Sequence, residues 1–211
     1  MTATLYRPSR RRHRGTEEAL ARDRARLLQA AAPLIAERGL RFFTLADVAV
    51  RAGLPRYRCS AVFLGRDRFL QAVAQDQLDR LLAHARAAVG AEVGSEALAR
   101  FVQGCLEHVV ADRSAARAMH ILLSEAIIKP PLALWLKQDP SGLVAYLQAH
   151  FEAAGETEDA HAKTILLLST LQAVSMVWLK NPDDPAVIRA VDLLQQQLRG
   201  PTSDAPERPA S

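Results

Sequence analysis

From Leu20 onward the apolar residues recur three, four or seven positions apart, the spacing that lines side chains along one face of a helix. Leu20, Leu27, Ala31, Leu34 and Ile35 mark a first helix, and Gly39 supplies its stop. Pro33 lies inside that helix, where it removes one backbone hydrogen bond, so a bend is expected there. Thr44 offers its hydroxyl as the N-cap of a second, two-turn helix with Leu45, Val48 and Ala49 on its apolar face, ended by Gly53. Pro55 pre-sets φ for a third short helix reaching Phe63, and a long fourth helix runs from Arg66 to Val89. The pattern predicts an all-α chain. A three-helix unit occupies 17–65 and a helical body 66–200, between a flexible basic arm over 1–16 and a Pro-rich disordered tail over 201–211.

Two short helices around a glycine-centred turn form a helix-turn-helix, in which the second helix enters the major groove of DNA with its N-terminal residues against base edges. Charge supports that use. Residues 1–70 hold 15 Arg against 6 acids, a net of +9, although the whole chain carries only +4. A basic first third on an acidic remainder points to a polyanion partner. Arg56, Tyr57 and Arg58 are predicted in the first turn of the second helix of the motif, where a guanidinium fork matches guanine O6 and N7. Arg66, at the start of the next helix, is placed to meet a phosphate. In the arm, Arg10, Arg11, Arg12 and Arg14 suit phosphates or an adjacent minor groove.

"LLQAAAPLIAERGLRFFTLADVAVRAGL" followed by "VFLGRDRFLQAV" resembles the TetR family of bacterial transcriptional regulators. The likeness is strong over residues 24–73 and rests elsewhere on helix number and length. It implies an N-terminal helix-turn-helix domain and a C-terminal helical domain for ligand binding and dimerisation. It also implies that Thr44 and Arg66 contact phosphates and that Arg56, Tyr57 and Arg58 face bases. Three positions depart from the family pattern: Tyr57 stands where a small residue is usual, Ser60 where a phosphate-contacting Tyr is, and Val62 where an aromatic residue or His is often found. Ser60 can still donate to a phosphate, with shorter reach.

In the body, helices are expected over 95–112, 114–129, 132–138, 143–154, 158–180 and 186–199, separated by Gly and Pro signals. The helix containing "KTILLLSTLQAVSMVWLK" is apolar on more than one side, with Leu167, Leu171, Val174 and Trp178 as one stripe, and Val191, Leu194 and Leu198 line the last helix. Both ask for a partner surface. In the resembled family the last two helices pair with their copies in a second subunit, which predicts a homodimer presenting two reading heads to a palindromic operator in double-stranded DNA. Candidate ligand residues are the polar or polarisable side chains within apolar stretches: His108, Met119, His120, Trp135, Tyr146, Gln172 and Met176. Glu125, inside an apolar face, suits an arginine or a cationic ligand.

No GxGxxG, P-loop, GxSxG or HExxH occurs, so no enzyme, cofactor or catalytic residue is predicted. The single Glu158-x-x-His161 lacks the second copy a di-iron bundle needs, and no metal is expected. Cys59 and Cys105 read as thiols in a reducing compartment. With an arginine-rich start, no apolar segment behind it and no 18-residue uncharged apolar run, the expectation is the cytoplasm and no membrane. Two functions fit: a ligand-responsive dimeric DNA-binding regulator, read as a repressor of nearby genes, or a helical small-molecule-binding or interaction protein whose reading head is reduced or lost.

Overall fold

The computed structural model describes residues 10–200, with side chains described from residue 17 on. Among these are ten helices: α1 Arg10–Arg38, α2 Leu45–Arg51, α3 Arg58–Phe63, α4 Arg66–Val89, α5 Gly94–Ala111, α6 Arg113–Ile128, α7 Pro130–Lys137, α8 Leu143–Ala153, α9 Ala160–Lys180 and α10 Pro185–Arg199. The first helix differs from expectation at its start. It reaches back to Arg10, so 10–16 is helical backbone where a flexible arm was expected, while 1–9 and the tail 201–211 lie outside the described residues. It also runs unbroken through Pro33, because Leu27, Ala31, Leu34 and Ile35 bury one continuous face that outweighs a single lost hydrogen bond.

Local chemistry sets the turns of the head. Thr44 and Asp47 form a reciprocal capping box at the start of α2. Gly53 ends the turn after α2 with φ at +67°, and a Cβ there would lie 2.9 Å from Nη2 of Arg26. Arg26 uses that approach to donate to the Ala52 carbonyl at 2.6 Å, tying α1 to the exposed end of α2. The third helix starts at Arg58, because the Arg58 N–H first closes a turn onto the Pro55 carbonyl at 2.8 Å.

Two apolar clusters organise the chain. One joins α1, α2 and α3 to the first half of α4 and also takes Ala118, Leu122 and Ala126 of α6 and Leu132 of α7. The other joins the second half of α4 to α5, α8, α9 and α10. α4 and α5 meet closely at Gly104, where a Cβ would lie 2.8 Å from the Ala85 Cα and 2.8 Å from the Ala88 Cβ. α4 therefore runs through both clusters, and α6 leans on the first. Cys59 and Cys105 are buried free thiols, pushed by burial up to about 11 and about 12 respectively.

Candidate functional site

Arg56 and Tyr57 stand in the turn before α3 and Arg58 is its first residue, a correction to the expectation that all three occupy the helix's first turn. Cys59 and Phe63 hold the inner side of α3 against the core. The outer side is a stripe at helical spacing, Tyr57, Ser60, Ala61 and Leu64, with Tyr57 69% exposed and Leu64 72% exposed. Arg56 lies beside it, exposed, its charge acting on Asp47 but with no hydrogen bond or close ion pair among the described residues.

Arg58 does not join that stripe. Its Nε donates to Oδ2 of Asp23 on α1 at 2.6 Å, which turns the guanidinium toward the protein. Arg66 is likewise engaged: it donates to the Phe43 carbonyl at 3.0 Å and to the Leu40 carbonyl, with its guanidinium 4.5 Å from the centre of the Phe43 ring. It staples the loop between α1 and α2, where a phosphate contact was expected. The Thr44 hydroxyl donates to Asp47 Oδ2 at 2.8 Å and accepts from the Asp47 N–H at 3.1 Å, so a phosphate must compete for its one proton. That hydroxyl is also the main cause holding the Asp47 carboxyl below its ordinary range.

Other arginines of the basic third are structural too. Arg24 sits 4.7 Å over the Phe63 ring, and Arg51 forms a fork with Glu37 at 2.5 and 2.7 Å. The side chains of Arg10, Arg11, Arg12 and Arg14 lie outside those described. Charge counting could not separate these roles, because the partners sit far away in sequence.

The body holds a partly open cavity of about 330 Å³ between α4, α5, α6, α8 and α9. Of the predicted ligand residues, His108, Met119, His120 and Gln172 line it. The other three do not. Trp135 packs against the head's cluster, Tyr146 lies tilted against Phe101 at 5.9 Å beneath Arg86, and Met176 is 46% exposed on the outside of α9. Sequence reasoning missed Gln77 on α4 and Ser175 on α9, both buried in the lining. His120 Nε2 meets Ser175 Oγ at 2.8 Å, bridging α6 to α9. Burial holds both His120 and His108 below the ordinary imidazole value, His84 adding to the effect at His108. Glu125 lies outside this cavity and pairs with Lys129 at 3.4 Å, where an arginine was one expectation. No group of three or more His, Cys, Asp or Glu able to hold a metal occurs among the described residues.

The expected dimer stripe is shared with the chain's own core, its α10 residues and Val174 and Trp178 remaining half-buried. Leu167 and Leu171 are buried in the chain's own second cluster, and Val174, Trp178, Val191, Leu194 and Leu198 pack against the same cluster. The outward apolar residues are Ile165, Leu166, Met176 and Val177 on α9, with Ile188 and Leu193 on α10. α9 is long and apolar enough to cross a membrane by length and composition. Thr164, Leu167, Leu171 and Ser175 bury its inner face, while only 22% of its apolar stretch is buried in all.

No protein-family model and no curated protein matches the chain. Solved structures do. The fatty acid degradation regulator FadR from Bacillus halodurans superposes with a TM-score of 0.70 at 20% identity, over 84% of this chain and 94% of that one. FadR from Bacillus subtilis, in complex with stearoyl-CoA, gives 0.67 at 16% identity over 83% and 97%. A TetR-like transcriptional regulator from Rhodococcus sp. RHA1 gives 0.65 at 18% identity over 83% and 93%. The chain thus has the all-α fold of the TetR-type transcriptional regulators, with a helix-turn-helix head and a helical body, as the likeness over 24–73 implied.

Proposed function

We propose that the chain is a ligand-responsive, dimeric, DNA-binding transcriptional regulator that acts as a repressor. The observation that carries this reading is the exposed edge of the helix-turn-helix: Arg56, Tyr57 and Ser60 project from a head that Arg58 and Arg66 brace. Arg56 addresses a base edge, Tyr57 packs on a thymine methyl, and Ser60 and Thr44 donate to phosphates. Arg66 and Arg58 act indirectly, by fixing the helices that carry those groups. The arginines at 10, 11, 12 and 14 add sequence-independent attraction to the backbone.

Two helices support ligand response. α6 places Ala118 and Leu122 in the head's cluster and Met119 and His120 in the cavity wall, and α4 carries Arg66 at one end and Gln77 in the wall further along. A molecule that prefers one arrangement of these helices shifts the population of head positions. The outward faces of α9 and α10 supply the dimer contact, and two heads then fit half-sites about 34 Å apart on a palindromic operator. A dimer seated there shields the DNA it covers, and such a protein works in the cytoplasm. The complex of the Bacillus subtilis FadR with stearoyl-CoA supports a small-molecule effector for this fold.

An electrophoretic mobility shift on the DNA flanking its own gene, repeated across a salt series, tests the reading. A retarded band with an inverted repeat at its centre is expected. Weak, salt-labile retardation of every fragment alike favours the other reading, a ligand-binding protein with a reduced head, which the engagement of Arg58 and Arg66 would then explain.

A further inference from the structure

Gln77 is the unusual residue of α4. It is only 4% exposed and borders the cavity. Its Nε2 donates to Asp76 Oδ2 at 3.1 Å, but its Oε1 has no hydrogen-bond partner among the described residues. A buried acceptor left alone is costly, so such atoms mark places where something else completes the bond.

Of the other polar groups of the wall, Ser175, His120 and Asp139 are engaged, while His108, Ser141 and Gln172 are half-buried or exposed and leave no fully buried atom without a partner. Ser175 Oγ donates to the Gln172 carbonyl at 3.0 Å, so its proton is engaged and His120 must donate to it from Nε2. Asp139 Oδ2 accepts the N–H groups of Val144 at 3.0 Å and Ala145 at 3.3 Å, capping α8. The wall contains no Lys or Arg among the described residues, and burial keeps His108 and His120 toward their neutral forms. An anion entering this space loses its hydration and finds no counter-charge. A cation finds one carboxylate with an oxygen already taken. The rest of the lining is largely apolar, from Leu78 and Phe101 to Leu123 and Leu171. With about 330 Å³, the cavity has the room of roughly ten waters and lies at the small end of ligand sites.

We propose that this cavity binds an uncharged, mostly apolar small molecule bearing one hydroxyl or N–H donor, which is oriented by donating to Gln77 Oε1. The proposal rests on the reading of the body as a ligand-binding domain, and its test involves no DNA.

Isothermal titration of the full-length protein with 4-hexylphenol, 4-hexylanisole, 4-hexylbenzoate and 4-hexylbenzylamine separates the chemistries. The phenol should bind about tenfold more tightly than the anisole, which has the same apolar body but no donor. The benzoate and the ammonium form of the amine should both bind more weakly than the phenol. Gln77→Leu should retain anisole binding and lose the preference for the phenol. Equal affinity for phenol and anisole, a benzoate or amine as tight as the phenol, a preference surviving in Gln77→Leu, or no binding of any of the four overturns the proposal. If Gln77→Leu fails to fold, the four-probe series on the unaltered protein still decides. A lost gel shift with the probe series intact would sink the DNA-binding reading alone, and the reverse pattern this one.

Discussion

Arg58 and Asp23, 35 positions apart in sequence, are joined by a 2.6 Å contact between Nε and Oδ2 that clamps the start of α3 onto α1. Both side chains are partly shielded, 30% and 21% exposed, so the pair should contribute about 1 kcal/mol, near the upper end for exposed pairs. Arg58→Ala and Asp23→Ala should each lower the urea midpoint, with a coupling of about that size in the double-mutant cycle. Binding to specific and random DNA should fall by the same factor in Arg58→Ala. Additive losses in the cycle would mean that the contact does not hold the head together.

Gly104 is set by the close approach of α4 and α5. Replacing it with Ala gains about 1 kcal/mol in helix propensity. The new methyl, however, meets the Ala85 Cα and the Ala88 Cβ at 2.8 Å. Neither neighbour can rotate away, so overpacking of about 1–3 kcal/mol should win and lower the thermal midpoint. A variant more stable than the parent would show that the two helices separate readily.

The outward residues of α9 should hold the second subunit. Leu166 is 65% exposed and Val177 46% exposed, so Leu166→Glu with Val177→Glu should give a folded monomer in sedimentation velocity at micromolar concentration. Leu171 is 8% exposed, and Leu171→Glu should unfold the body by placing a carboxylate in its core. A dimer that survives the first pair of changes assigns the interface to another surface.

His108, His120 and His150 are all held below the ordinary imidazole value of 6.5, chiefly by burial. Below that value the unfolded chain binds protons that the folded chain refuses, so stability falls as pH drops. Above it neither state is protonated and the effect vanishes. The urea midpoint should therefore be lower at pH 5.5 than at pH 7.5, and His120→Gln should lose less across the same interval. An identical loss in that variant would remove His120 from the account.

The head was legible because its signals are local: the Thr44 cap, Gly39 and Gly53 at positive φ, and the apolar spacing of Leu27 to Ile35 all act within a few residues. What escaped depends on distant partners. Nothing near Arg58 or Arg66 in sequence announces Asp23 or the Leu40 and Phe43 carbonyls. On α9 both faces are apolar, so periodicity could not say whether Leu171 or Leu166 points inward; the answer came from what packs against it. Gln77 stands among charged residues of α4 and carries no sequence signal of the burial that sets it against the cavity.

Selection of bound sequences from a random double-stranded DNA pool, run in parallel on the parent protein, Arg56→Ala, Arg58→Ala and Ser60→Tyr, tests the central claim most directly. The parent should enrich an inverted repeat. Arg56→Ala should relax preference at one symmetric position at a cost of about 1–3 kcal/mol, while Arg58→Ala keeps the same motif with weaker binding throughout. Ser60→Tyr should bind the unchanged motif more tightly, because phosphate contacts position the protein without specifying sequence. A folded, dimeric parent that enriches no sequence would contradict the account.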